Sequence, residues 1–272
     1  MKSRPILFSG AMIRALLAGT KTQTRRAVKP AGGKQREWLT VKGITASPKL
    51  EIAPLTAERN GVDAYGAQIE HPKGGPLGWV RCPYGKPGDL LWVRETFADL
   101  LAVSPATDEP MKIGPGEQLI REPTFWLDDA GDKRWNYDGQ VIAYAANSDV
   151  EFCDGDGFMG DMADRSDMPR WKPSIHMPRW ASRLTLRITD VRVQRLQEIS
   201  EADAIAEGAP DYEEGVDAPP PDEGMAWSYK ASFMRLWESI NGLDSWAENS
   251  WVWCVSFEVI KANVDEVLKP CD

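Results

Sequence analysis

From residue 183 to residue 196 the chain alternates apolar and polar side chains, with Leu184, Leu186, Ile188, Val191, Val193 and Leu196 on the apolar side. A period of two is the pattern of a half-buried strand, so strands are expected over 183–188 and 191–196. A strand with one apolar face needs sheet partners and a covering layer. Candidate partners are Pro5-Ile6-Leu7-Phe8, the segment 49–55, the segment 90–95 after the turn Gly85-Lys86-Pro87-Gly88-Asp89, the segment 139–146, and 251–260. Helices punctuate them. Ser9 caps a run in which Met12, Ile13, Leu16 and Leu17 recur at helical spacing before Gly19 ends it. Ser200-Glu201-Ala202-Asp203 opens a short helix with a capping-box-like pattern that stops at Gly208 and Pro210. Phe233, Met234, Leu236, Trp237 and Ile240 mark a helix over 227–240, with Asn241-Gly242 as its stop. The expected class is α+β.

Composition narrows the function. The chain has 272 residues, 42% of them hydrophobic, enough for a sizeable core in one elaborated domain or two small ones. No segment has the apolar length of a membrane span and the N-terminus has no signal-peptide pattern, so a protein of the cytoplasm is expected, with no membrane partner. Cys82, Cys153, Cys254 and Cys271 are scattered without a CxxC pair, which points to reduced thiols and away from a structural zinc site. With His71 and His176 as its two histidines, the chain has too few for a multi-His metal centre. No metal or other cofactor is expected.

The net charge of −9 argues against a general nucleic-acid coat, because duplex binding runs on accumulated Lys and Arg. Its distribution is uneven. Residues 1–40 hold nine Lys/Arg against Glu37, and residues 170–195 hold seven against Asp190. Residues 197–225 hold ten Asp/Glu and no Lys or Arg. The two basic stretches either merge into one groove or are separate solvated surfaces.

Leu17-Ala18-Gly19-Thr20-Lys21-Thr22-Gln23-Thr24-Arg25-Arg26 sets a lysine, three threonine hydroxyls and two arginines within ten residues. After a helix stop this reads as a loop, where scaffolds carry working residues. A lysine made neutral by burial or by neighbouring cations can take a hydroxyl proton, so Lys21 could activate Thr24, with Arg25 and Arg26 supplying the charge. A solvated surface turn is the alternative. Glu207 falls in the last turn of its short helix, where the negative end of the macrodipole opposes a carboxylate by up to about 1 kcal/mol and favours its protonated form. Trp171, His176 and Trp180 share a Pro-containing stretch with Arg170, Lys172, Arg179 and Arg183, a set that suits base stacking or plain core packing. Asp154-Gly155-Asp156-Gly157-Phe158-Met159 has a calcium-loop rhythm, but Phe158 and Met159 stand where such a loop needs an oxygen ligand and a glycine.

The Leu-Ala-Gly-x-Lys-Thr-x-Thr-x-Arg run resembles the signature of the ASCH family. The block from Cys82 through Phe97, the block from Trp171 to Arg183 and the closing Trp251-Val252-Trp253-Cys254-Val255-Ser256-Phe257-Glu258 are similar to those of its phage-type members. The resemblance implies a PUA-like mixed β-barrel flanked by short helices. On that basis residues 1–261 form one domain with insertions at about 30–78, 98–137 and 147–170, and 262–272 form a tail. In ASCH proteins that act as N4-acetylcytidine amidohydrolases a lysine, a threonine and a glutamate do the chemistry, and these map to Lys21, Thr24 and Glu207, with Glu198 and Glu201 as rivals for the last. The resemblance thus implies a metal-independent hydrolase of N4-acylated cytosine derivatives. Arg25, Arg26, Trp171, His176, Arg179, Trp180 and Arg183 would bind a modified nucleoside or RNA. Two other functions remain open, a non-catalytic RNA-binding module and a ribonuclease. The stiff Pro219-Pro220-Pro221 bridge is a candidate lid.

Overall fold

The computed structural model describes residues 1–29, 49–55, 64–70, 76–101, 103–104, 109–110, 117–121, 125–127, 133–135, 140–146, 171–210 and 228–269. In chain order the strands are β1 (Ser3–Leu7), β2 (Gln23–Ala27), β3 (Lys49–Leu55), β4 (Ala64–Glu70), β5 (Pro76–Arg81), β6 (Leu90–Arg94), β7 (Phe97–Leu101) and β8 (Val103–Ser104). They continue with β9 (Glu109–Pro110), β10 (Glu117–Arg121), β11 (Phe125–Leu127), β12 (Lys133–Trp135), β13 (Gln140–Tyr144), β14 (Thr185–Arg195) and β15 (Trp251–Ile260). The helices are α1 (Gly10–Ala18), α2 (Glu201–Ala206), α3 (Tyr229–Asn241) and α4 (Val264–Val267). The class is α+β, as the patterning predicts.

The largest sheet has the strand order β1-β6-β14-β15-β2. Among the described residues no pairing joins β1 to β2, so this sheet is open where a closed barrel was expected. The residues separate into two compact units, one of Met1–Arg4, Ala15–Leu91 and Leu186–Ile260, the other of Pro5–Arg14, Trp92–Thr185 and Lys261–Asp272.

In the first unit β2 runs antiparallel to β15, with Arg25 opposite Cys254 and Thr24 opposite Val255. A second antiparallel sheet has the order β3-β4-β5. Leu196, Ile199, Ala204, Phe233, Trp237, Val252 and Cys254 form one buried cluster, which seats α2 and α3 on β15. Leu196, Phe233 and Trp237 come from positions that the strand and helical periods mark as apolar faces. β14 is one strand of eleven residues rather than two. Thr189 and Asp190 are both exposed, so the in–out phase slips there, but neither residue stops an extended backbone.

In the second unit β10, β13 and β7 form an antiparallel sheet. The strands β9 and β10 fall largely within residues 104–120, whose Pro and Gly density predicts a loop. Phe97, Ile142, Tyr144, Met177 and Ala181 pack as its core. Glu95 is buried there and meets Arg183 through two bonds, Nε to Oε1 at 2.9 Å and Nη2 to Oε2 at 2.8 Å. The end of the chain is not a bare tail. Asn263 caps α4 by accepting from the Asp265 N–H at 2.9 Å, and Val264 is fully buried.

Candidate active site

The site is built where the last turn of α1, from Ala15 on, meets β2 and α2 within the first unit. Helix α1 stops at Gly19, whose φ of 79° is left-handed, and the N–H groups of Gly19 and Thr20 cap the carbonyls of Leu16 and Ala15. This aims the chain at Lys21. The Lys-Thr-x-Thr run is then not a loop throughout, because Gln23–Ala27 form β2 by pairing with β15, more than two hundred residues downstream. Sequence separation hides that partner from any local pattern.

Helix α2 is capped at its start by Ser200, which accepts from the Asp203 N–H at 3.1 Å. It ends in a Schellman pair, Gly208 N–H to Ile205 O at 2.8 Å and Ala209 N–H to Ala204 O at 3.1 Å. Glu207 is the C-cap residue. Two of the carbonyls left open at this end are taken by the Lys21 segment: Thr22 N–H donates to Ala206 O at 2.8 Å, and Lys21 Nζ donates to Glu207 O at 2.6 Å. A Cβ on Gly208 would lie 3.1 Å from Ala15 Cβ and 3.2 Å from Lys21 Cβ, and its φ is 73°. Only glycine lets the helix end approach so closely.

Lys21 is 0% exposed and Glu207 is 3% exposed. The Lys21 ammonium also donates to Glu207 Oε2 at 3.0 Å, while Arg25 Nη1 donates to Oε1 at 3.1 Å. The two carboxylate oxygens are thus divided between two cations. Arg25 Nη2 lies 3.0 Å from Asp203 Oδ2, an ion pair off the hydrogen-bonding direction. Arg192 Nη2 bonds the other oxygen of Asp203, and Gln23 joins by accepting from Arg192 at 2.9 Å and donating to Asp203 at 3.3 Å. Five charged groups alternate in sign in one line, Arg192, Asp203, Arg25, Glu207 and Lys21, passing from half-exposed to fully buried.

Burial pulls the Lys21 ammonium below the usual lysine range; Glu207 opposes this, and the Arg26 and Arg25 guanidiniums add to it. For Asp203 burial pushes the carboxyl up, but the Arg25 and Arg192 guanidiniums more than offset it and leave it below the usual range. Burial likewise pushes the Cys254 thiol up to about 12. A lysine biased toward its neutral form beside a carboxylate can carry a proton between a hydroxyl and a leaving group.

The structure therefore joins Lys21, Arg25 and Glu207 directly. It separates them from the rival carboxylates: Glu198 is exposed and caps the Arg195 N–H at 2.9 Å, and Glu201 is exposed and accepts from the Lys230 N–H at 3.3 Å. Thr24 is buried, but the alternation of β2 puts it on the face opposite Gln23 and Arg25, which contact α2. Arg26 shares that opposite face. Asp203 and Arg192 were not singled out from the sequence as site residues. The signal was present as two spacings of four, Asp203 to Glu207 and Lys21 to Arg25, whose mutual facing no local rule reveals.

The expected binding residues Trp171, His176, Arg179, Trp180 and Arg183 lie in the second unit. His176 is exposed in the 3-10 turn Ser174–His176, and Trp180 is 46% exposed in the turn Arg179–Ala181. Trp171 is half-buried. Arg179 pairs with Asp265 at 2.6 Å, and Arg183 stacks 4.1 Å from the Tyr144 ring centroid while it holds Glu95. Both arginines thus have carboxylate partners that sequence reading did not supply.

Comparison with protein-family models, with curated proteins and with solved structures finds no match. Among the described residues no group of three or more His, Cys, Asp or Glu is placed to hold a metal ion, and no helix is long and apolar enough to cross a membrane. The calcium-like segment at 154–161 and the greater part of the candidate lid at 208–224 lie outside the described residues.

Proposed function

We propose that the chain is an ASCH-type, PUA-like amidohydrolase that removes an acyl group from the exocyclic amine of an N4-acylated cytosine nucleoside or a related base. The observation that carries the reading is the fully buried Lys21 ammonium, which shares the Glu207 carboxylate with Arg25. Burying such a group without excellent pairing is costly, and perturbed, paired ionisable groups concentrate where chemistry is done. The residue types and the Lys21-to-Thr24 spacing match the chemistry that the sequence resemblance implies.

In this reading neutral Lys21 takes the Thr24 hydroxyl proton as Oγ1 attacks the acyl carbonyl. The proton passes along the 3.0 Å bond from Nζ to Glu207 Oε2, and Glu207 delivers it to the departing amine as the C–N bond breaks. Water then attacks the acyl-threonine, releasing the carboxylic acid and restoring the Thr24 hydroxyl. Because Thr24 sits on the other face of β2, the Lys21 side chain must turn, as the neutral amine, from Glu207 to the hydroxyl to begin the cycle.

The test is mass-spectrometric detection of cytidine formed from N4-acetylcytidine, with larger N4-acyl analogues alongside. Turnover in the wild type, lost in Lys21→Met and Thr24→Ala with the fold intact, is the expected result. Turnover retained in Thr24→Ala but lost in Lys21→Met would move the nucleophile to a water held by Lys21 and Glu207. No turnover of any analogue by the folded protein would overturn the reading.

A further inference from the structure

Arg25 is a planar fork set between two carboxylates four residues apart, Asp203 on α2 and Glu207 at its C-cap, with a hydrogen bond to Glu207 and an ion pair, off the hydrogen-bonding direction, to Asp203. Nη1 meets Glu207 Oε1 at 3.1 Å and Nη2 meets Asp203 Oδ2 at 3.0 Å. A guanidinium offered a single carboxylate closes on both of its oxygens, because the fork matches them. Here Arg25 reaches only Oε1, and Oε2 of Glu207 stays with Lys21 at 3.0 Å. Asp203 is itself fixed from the other side by Arg192 and Gln23.

We propose that Asp203 is a positioning residue for this site: by holding one end of Arg25 it keeps the guanidinium from closing on both oxygens of Glu207 and so reserves Oε2 for the Lys21 ammonium. This deepens the amidohydrolase reading and rests on it for its catalytic meaning. Without Asp203, Arg25 competes with Lys21 for Oε2, and the Glu207 carboxylate offsets the burial of Lys21 less. Among the described residues, the charged and titratable groups that bear on Lys21 include Glu207 at the cap of α2 and Arg25 and Arg26 on β2, with Asp203 on α2, Arg192 on β14 and Cys254 on β15 beyond them. Of these, Asp203 alone acts through Arg25 on the oxygen that Lys21 uses.

The experiment follows the Lys21 Cε signal by NMR against pH in the full chain labelled with 13C-lysine, the signal being the one missing from Lys21→Met. In Asp203→Asn, which keeps size and removes charge, the proton affinity of Lys21 is expected to fall about tenfold or more. Asp203→Glu, which restores the carboxylate, is expected to return it toward the wild-type value. In the Arg25→Gln background Asp203→Asn is expected to add nothing further, because the link is gone. An unchanged Lys21 titration in Asp203→Asn would overturn the proposal. Asp203 is 21% exposed at its side chain near the start of α2, so Asn there is expected to fold; Asp203→Ser is read in the same way if it does not. A shifted titration in a protein that hydrolyses no acylcytidine would keep the positioning role and reject the amidohydrolase reading. Wild-type turnover with an unshifted titration in Asp203→Asn would do the reverse.

Discussion

Glu207→Gln isolates what the buried ion pair contributes. The substitution keeps the shape of the side chain and removes one negative charge from between two cations, Lys21 at 3.0 Å and Arg25 at 3.1 Å. Arg25 retains Asp203, but Lys21, which is 0% exposed, loses its carboxylate. A buried ammonium that keeps the Glu207 carbonyl but loses its countercharge is pushed toward the neutral amine, and the cost of holding it neutral sets a ceiling on the damage. At about 1.4 kcal/mol per pH unit, holding a lysine of ordinary pKa about 10.4 neutral at pH 7 costs about 4.6 kcal/mol, in line with the roughly 3–5 kcal/mol for breaking buried pairs. At pH 9.5 the same cost is about 1.2 kcal/mol. The sign follows from proton counts: the folded pKa of Lys21 lies below its unfolded value, so the unfolded state binds more protons and stability rises with pH until the unfolded value is reached. Urea unfolding of Glu207→Gln and wild type at both pH values measures the difference. The expected loss is several kcal/mol at neutral pH, with most of it recovered by pH 9.5. A loss that is the same at both pH values, or below about 1 kcal/mol at neutral pH, would show that Lys21 does not depend on Glu207 as a buried cation.

Gly208→Ala is expected to cost about 1–2 kcal/mol for the left-handed backbone and a further 1–3 kcal/mol for crowding Ala15 and Lys21, whereas Gly19→Ala, left-handed but with open space around it, costs the backbone part alone. Equal losses in thermal unfolding would mean that the helix end can move away from Lys21. Cys254 and Cys82, both buried with thiols pushed upward, are expected to resist iodoacetamide at pH 8 in the folded chain and to react in denaturant; peptide mapping that finds Cys254 alkylated without denaturant contradicts its burial against Arg25 and Arg192.

Much of the first unit could be read from the sequence because its signals are local. Ser200 and Gly208 bracket α2, Gly19 ends α1, the period of α3 matches its buried Phe233 and Trp237, and 251–260 is a strand as its apolar density predicts. Such features depend on residues a few positions apart. The α+β class follows from them. Residues 23–27 look like a loop to any local rule because their Thr and Arg side chains carry no apolar alternation; they are a strand because β15 supplies the hydrogen bonds.

The site divides in the same way. Sequence alone supplied Lys21, Arg25 and Glu207 as chemically apt residues, with Glu198 and Glu201 as rivals for the glutamate that the resemblance implies. Tertiary structure separates their surroundings, because burial at the cap of α2 puts Glu207 against Lys21 and leaves the other two in solvent. It also turned Asp203 from a helix-capping partner into one link of a charge chain with Arg25 and Arg192, and gave Arg179 and Arg183 carboxylate partners in Asp265 and Glu95. Periodicity, caps and turns are properties of neighbouring residues and so are written in the chain. Which charge meets which is a property of distance in space, set only when segments about 180 residues apart, such as Lys21 and Glu207, are brought together by burial and strand pairing.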